Sequence, residues 1–379
     1  MFNLDFYTDI IDLPDKEETE NKISYPLDLN IKSAEGCYLI DETDNRYLDL
    51  TSNKECNPLG YSFISQVDNG YLFDSELFTS TDSINLENSL KRLTGLNKAI
   101  FTSSKSESQV ITNKLIKTYL SSNTKNKILV SCLYKNRTNY HFDNISVDFI
   151  PLNNDTLVRS LLTKSVGAVI IDLVQIGEDI LIANQEYLTL LRALCNRVGA
   201  LLVFDASSVS PQRTLNGPFN FDSALVKPDI LIISNSTAQG IPFGAVIISD
   251  KLDEIPGTGS TIFAYKSALK FINECTNPEA VAIINNNRLY IEKSLNELAE
   301  RFITVADVIS YGMLYTIILD ISAFDFVKEA LKRQIILEAL NSRTIKLSPP
   351  YNIGKEEIDK LMYSFEDILD NLAKYDRLM

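Results

Sequence analysis

Five polar segments, each directly after an apolar run of the kind that makes a buried strand, hold most of the candidate chemistry in this chain. They are 102–107 (TSSKSE), 134–138 (YKNRT), 172–178 (DLVQIGE), Asp205, and 234–236 (SNS). The first opens a helix-like stretch. Unpaired amides at a helix N-terminus, with hydroxyls beside them, bind anions. Lys105 could pair with such an anion, or its Cβ and stem could fill the cup instead. Asp205 ends the run ALLVFDA (200–206). A carboxylate there can favour a cationic partner or act as a strand-end cap. The one histidine, His141, lies in TNYHFDN and reads as a loop residue. With no second histidine, a His-based zinc site is excluded and a His-dependent triad has a single candidate. The five cysteines (Cys37, Cys56, Cys132, Cys195, Cys275) form no CxxC pair and are odd in number. They read as reduced, buried thiols.

The elements that must position these residues alternate. Residues 83–95 (SINLENSLKRLTG) have helical spacing and a glycine stop, 99–102 make a short strand, and 105–121 a second helix. Buried-strand runs follow at 127–132, 147–150 and 168–174. An amphipathic helix at 185–198 leads into the strand 200–206, and strands at 229–234 and 243–249 finish the series. Continuous apolar strands separated by helices imply a mostly parallel sheet covered on both faces, an α/β architecture. Beyond it the sequence predicts a long helix at 278–302, a strand at 313–321, and helices near 324–340 and 355–374. The expected organisation is a large α/β domain over 55–290. A smaller α+β domain is expected from the N-terminal segment 1–54 and the C-terminal 291–379. No repeat, low-complexity tract or flexible linker interrupts the chain. In open sheets of this kind ligands sit at the carboxyl ends of the strands, which is where the five segments fall.

Composition narrows the function classes. The chain has 379 residues, and 50 acidic against 36 basic side chains give a formal charge of −14, which repels phosphate backbones and argues against a nucleic-acid partner. Its 45% hydrophobic and 23% charged content are globular values. No apolar run reaches the roughly 18 residues of a membrane span. The first twenty residues are acidic from residue 5 and lack a basic start before an apolar run, so no signal peptide is expected and a cytoplasmic location is.

Taken in order, these segments resemble the class III, fold-type I, pyridoxal-phosphate aminotransferases, most closely the acetylornithine/ornithine aminotransferase group. The likeness runs from about residue 25 to 370. EGCYLIDETDNRYLDLTS (35–52) is similar to the family's opening, IFTSSKSES (100–108) to its phosphate cup, and VGAVIIDLVQIGE (166–178) to its Glu-Pro-x-Gln-Gly-Glu strand. EYLTLLRALCNRVGALLVFD (186–205), KPDILIISNSTAQGIPFGAVI (227–247), GSTIFAYKSALKFI (259–272) and KLSPPYNIGKEEIDKL (346–361) continue it.

The resemblance implies roles position by position. The Schiff-base lysine would fall five residues before Gly240, and the residue there is Asn235, whose amide forms no imine and shuttles no proton near neutral pH. Asp205 matches the aspartate that holds the cofactor's pyridine nitrogen protonated; Ala206 follows where the family has glutamate. Ser104, Lys105 and Ser106 fall in the phosphate cup, with lysine in place of glycine. Tyr134 matches the aromatic that stacks on the ring, and Asp172 stands at the family's glutamate. Thr261 matches the threonine that reaches the phosphate across a dimer interface, or is an ordinary loop hydroxyl. Lys346 matches the arginine for the substrate carboxylate and keeps its charge but not its two-pronged geometry. Lys105, Lys135 and Lys266 border the pocket as candidates for a relocated Schiff base.

The expectation is a homodimeric pseudoenzyme with no cofactor and a scaffolding, binding or regulatory role, with a heteromeric partner protein as a further option. The alternative is a pyridoxal-phosphate aminotransferase acting on an ornithine-like amine donor, with the cofactor held non-covalently. A cofactor-free enzyme reusing the pocket is a third reading, for which no residue constellation specifies a reaction.

Overall fold

The computed structural model describes residues 29–67, 79–131, 142, 145–177 and 179–376. In chain order the elements are β1 (Ile31–Glu35), β2 (Tyr38–Asp41), β3 (Arg46–Asp49), the single turn α1 (Ser52–Glu55), α2 (Thr81–Thr94), β4 (Lys98–Thr102), α3 (Lys105–Ser122), β5 (Lys127–Ser131), β6 (Ser146–Phe149), α4 (Asp155–Leu161), β7 (Val166–Asp172), β8 (Val174–Ile176), β9 (Ile180–Ile182) and α5 (Gln185–Val198). Then come β10 (Leu201–Asp205), β11 (Ile230–Ser234), β12 (Gly244–Ile248), α6 (Ile262–Thr276), α7 (Pro278–Arg301), β13 (Val305–Tyr311), β14 (Leu314–Leu319), α8 (Ala323–Lys332), β15 (Ile335–Ile336), β16 (Glu338–Ala339), β17 (Thr344–Leu347) and α9 (Lys355–Asp376).

Local chemistry sets the helix ends. Ser80 caps α2 by accepting from the Ser83 amide, and Gly95 ends it in the left-handed conformation. Asn184 and Gly199 do the same for α5, and Asn277 with Pro278 starts α7. The strands β10, β11 and β12 are buried at every position. They belong to a seven-stranded sheet of order β4-β12-β11-β10-β7-β5-β6. Only β12 runs antiparallel to its neighbours.

Alternate residues of each strand feed two different cores. Leu202 and Phe204 pack with α2, α4, α5 and α6 on one face. Leu201 and Val203 pack with Ile111, Leu115 and Ile116 of α3 on the other. The expected α/β sheet with both faces covered is what forms. A further core joins Leu48 and Leu50 near β3 to α7, β13, β14, β17, α8 and α9, and β15 pairs in parallel with β3. Residues from the start of the chain and from its last third therefore share one core.

One expectation fails. The helix read near 324–340 ends at Lys332, and Gln334 takes a positive φ of 61° that stops it. Residues 335–339 instead form β15 and β16, recruited by β3 and β17. The strand β13 was not expected at all: five of its seven residues are half-buried or exposed on the sheet's edge, so it lacks an apolar run. Among the described residues no helix is long and apolar enough to cross a membrane.

Candidate active site

The carboxyl-end edge of the large sheet can be read from strand register. Thr102 lies opposite Gly244, and Gly244 opposite Ser234. On the next strands Asp205 lies opposite Asp172. Gly244 has to be glycine: a Cβ there would come within 2.5 Å of Ser108 Oγ and Thr102 Oγ1 and 2.6 Å of Ser104 O. This close approach seats the start of α3 directly on the edge.

At that start, Ser104 is the N-cap and accepts from the Glu107 amide at 3.2 Å. Glu107 reaches back to accept from the Ser103 amide at 2.9 Å and its hydroxyl at 2.8 Å, a capping box. Burial works against the Glu107 charge, but hydrogen bonds from Thr258 and Ser103 hold its carboxyl below the usual range. The Lys105 and Ser106 amides, in the first helical turn, have no acceptor within the helix and aim outward from its N-terminus. Ser104 and Ser106 are exposed, and Lys105 between them is half-buried.

Asp205 is buried and held from several sides. Gln109 Nε2 donates to it at 3.3 Å, and the amide of Ser207 donates at 3.0 Å together with the Ser207 hydroxyl. Ser234 Oγ donates to the Ser207 carbonyl at 3.2 Å, which ties the end of β11 to this clamp. Asp172 accepts from Ser208 Oγ at 2.8 and 3.0 Å. The protein packed around Asp172, and then the neighbouring charge of Asp205, push its carboxyl up to about 7, against the opposing charge of Lys105. Two carboxylates thus share the edge with one cation facing them. Deeper in, Gln175 donates to Ser131 Oγ at 3.1 Å.

Asn235 begins a short 3-10 turn at the end of β11, and its amide donates to the Cys56 thiol at 3.4 Å. Cys56 follows the turn α1, whose four residues all have positive φ, from 49° to 68°. Burial raises the Cys56 thiol, outweighing the Asn235 contact, so it stays protonated and is a poor nucleophile. Asn57 Nδ2 donates to the Gln239 carbonyl at 3.2 Å, and Gln239 Oε1 accepts from the Leu59 amide at 3.2 Å, which holds 55–59 against the 235–240 turn. Below them Arg213 is fully buried. It donates to Glu55 Oε2 at 2.8 Å and to the Pro349 carbonyl at 2.7 Å, and stacks 4.7 Å from the Tyr351 ring centre. Burial disfavours the Glu55 charge, but Arg213 and then Lys346 hold its carboxyl below the usual range.

The fates of the sequence candidates differ. Lys105, Asp172 and Asp205 come together at one edge, with Ser104 and Ser106 at its rim. Asn235 sits at the same edge beside Cys56. Lys346 is buried on β17 and its ammonium pairs with Glu338 at 2.8 Å, so its charge is already matched within the chain. Thr261 is exposed and caps α6 by accepting from the Ala264 amide at 3.1 Å. Lys266 lies on α6, the helix whose Ser267 donates to the Ala238 carbonyl at 3.0 Å. Tyr134, Lys135 and His141 lie outside the described residues.

Sequence reading missed Gln109, Ser207 and Glu338. Gln109 had a signal, since it stands four residues after Lys105 on the same helix face. Ser207, two residues past Asp205, had the spacing of an Asx turn. Glu338 had none, because its partner is fixed by strand pairing. Among the described residues no cluster of three or more His, Cys, Asp or Glu could hold a metal.

Comparison with known proteins agrees with this architecture. The family model for aminotransferase class-III matches residues 151–369. Acetylornithine aminotransferase of Methanocaldococcus jannaschii is 22% identical over 90% of this chain and 93% of its own length. The probable mitochondrial acetylornithine aminotransferase of Dictyostelium discoideum is 26% identical over 97% and 89%. Among solved structures, N-acetylornithine aminotransferase from Stenotrophomonas maltophilia superposes with a TM-score of 0.78 at 18% identity, covering 93% of this chain and 98% of that one. Ornithine aminotransferase from Toxoplasma gondii does so with 0.79 at 16% identity, covering 100% and 99%. These likenesses fix the fold as that of the fold-type I aminotransferases, and with the family match over more than half of its length the chain belongs to the class III aminotransferases.

Proposed function

We propose that this chain is a non-catalytic member of its family, acting as a dimer in a scaffolding, binding or regulatory role. The observation that carries the reading is Asn235. It stands at the end of β11 ahead of the Gly240–Gly244 turn, where the resemblance puts the amine that tethers pyridoxal phosphate. An amide cannot form that bond and cannot move a proton at neutral pH.

Two further features support it. The Lys346 charge, the candidate for a substrate carboxylate, is matched by Glu338. Ala206 offers no polar group beside Asp205. As a donor set, the clamped Asp205 and the open amides of α3 suit a pyridinium and a phosphate. Asn235 and the Lys105 stem do not suit a covalently held cofactor, so no reaction step is derived through it. Thr261, exposed at the tip of α6, supports a dimer by lying open to a second copy.

A second reading has one observation in its favour, the intact clamp of Gln109 and Ser207 on Asp205. It is a pyridoxal-phosphate aminotransferase acting on an ornithine-like amine donor, with the cofactor bound non-covalently. Incubation of the purified chain with pyridoxal phosphate, ornithine or acetylornithine and a 2-oxo acid separates the two. The non-catalytic reading expects no amine transfer above the rate of cofactor in buffer. Sustained multiple turnovers establish the second reading instead.

A further inference from the structure

Lys105 is the one residue at the start of α3 that turns inward. Its neighbours Ser104 and Ser106 are exposed, whereas Lys105 is half-buried. One helical turn on, Gln109 donates to Asp205 at 3.3 Å, and residues four apart share a helix face. Gly244 clamps this first turn onto the sheet edge, leaving α3 no freedom to rotate that face away. The face looks onto Asp205 and Asp172, aligned side by side on β10 and β7. The charge of Lys105 acts on Asp172, drawing its carboxyl back toward the ionised form. No direct ion pair joins Lys105 to either aspartate among the described residues, so the interaction is one of charge across the cradle. At a separation beyond about 4 Å such a pair still interacts strongly where water is thinned out.

We propose that Lys105 is the cradle's own counter-cation: its ammonium balances the Asp172–Asp205 pair, and its stem takes the space at the start of α3 that the phosphate of pyridoxal phosphate would need. The inference rests on the non-catalytic reading and gives it a physical cause beyond Asn235. A cradle that carries its own cation is stable without a ligand and is closed to a cationic ring by a side chain of the same protein.

A double-mutant cycle on the full chain tests the electrostatic half with no cofactor present. At pH 8, Lys105→Met lowers the thermal midpoint by roughly 2–4 °C in the native background. In an Asp172→Asn background the same change costs about 1 °C or less, since the charge it balanced is smaller. Losses that simply add across the cycle overturn the counter-cation. The steric half is read by titrating pyridoxal phosphate and following its quenching of protein fluorescence. Lys105→Gly is expected to bind at least about tenfold more tightly than the native chain. Equal affinities overturn the obstruction. Tight binding by the native chain removes the cofactor-free reading, while the cycle still decides whether Lys105 balances the aspartates.

Discussion

Asp172 and Asp205 set the electrostatics of the sheet edge, because two adjacent carboxylates cannot both ionise cheaply away from bulk water. Asp172 carries the consequence, raised from 3.8 to about 7. Between those values the folded chain keeps a proton that the unfolded chain has lost. This term therefore lowers stability as pH rises from about 4 to about 7 and is constant above that. Asp172→Asn removes the term, so the variant's thermal midpoint should gain on the native chain more at pH 8 than at pH 4.5. A gain that is equal at both pH values, or larger at pH 4.5, contradicts this assignment. Arg213 is the opposite case, a buried charge fully matched by Glu55 and two carbonyls. Arg213→Met strands the Glu55 carboxylate and should cost about 3–5 kcal/mol in denaturant unfolding, where a loss under about 1 kcal/mol would show the pair to be dispensable. At this scale the sequence was readable where chemistry sits at a strand end, as for Lys105, Asp172 and Asp205. It was silent where a partner arrives through space, as with Cys56, which lies 179 positions from Asn235.

Elements position these residues through a few close contacts. The approach of α3 to β12 at Gly244 is the tightest. Gly244→Ala would drive a methyl into Ser108 Oγ, Thr102 Oγ1 and the Ser104 carbonyl, one of which is backbone and cannot turn aside. A loss of about 1–3 kcal/mol is expected by thermal unfolding, and an unchanged midpoint would mean that α3 is not held as described. The sheet and its flanking helices were legible because their signals are local: apolar runs of five to seven residues, Ser or Asn caps, and glycine stops at Gly95 and Gly199. Residues 333–340 were misread because their apolar spacing suits a helix. What overrides it is the positive φ at Gln334 and pairing with β3, nearly 290 residues earlier, as the Gln334–Asn45 contact at a separation of 289 illustrates. The run of positive φ through α1 had no glycine to announce it. Each such residue costs roughly 1–2 kcal/mol, which the Glu55–Arg213 tie and the Asp49 bonds to the Thr51 and Asn53 amides help to offset.

For the whole molecule, the fold is that of an aminotransferase while the edge where such an enzyme works carries an amide, a lysine and an internally paired cation. The central claim is that this protein holds no covalent cofactor. The most direct measurement is a visible absorption spectrum of the purified chain with added pyridoxal phosphate, followed by borohydride reduction and peptide mass mapping. The account predicts only the spectrum of the free or loosely bound cofactor and no lysine peptide carrying a reduced pyridoxyl group. A new visible band, with the label trapped on Lys105, Lys135 or Lys266, would contradict it and return the chain to the catalysts of its family.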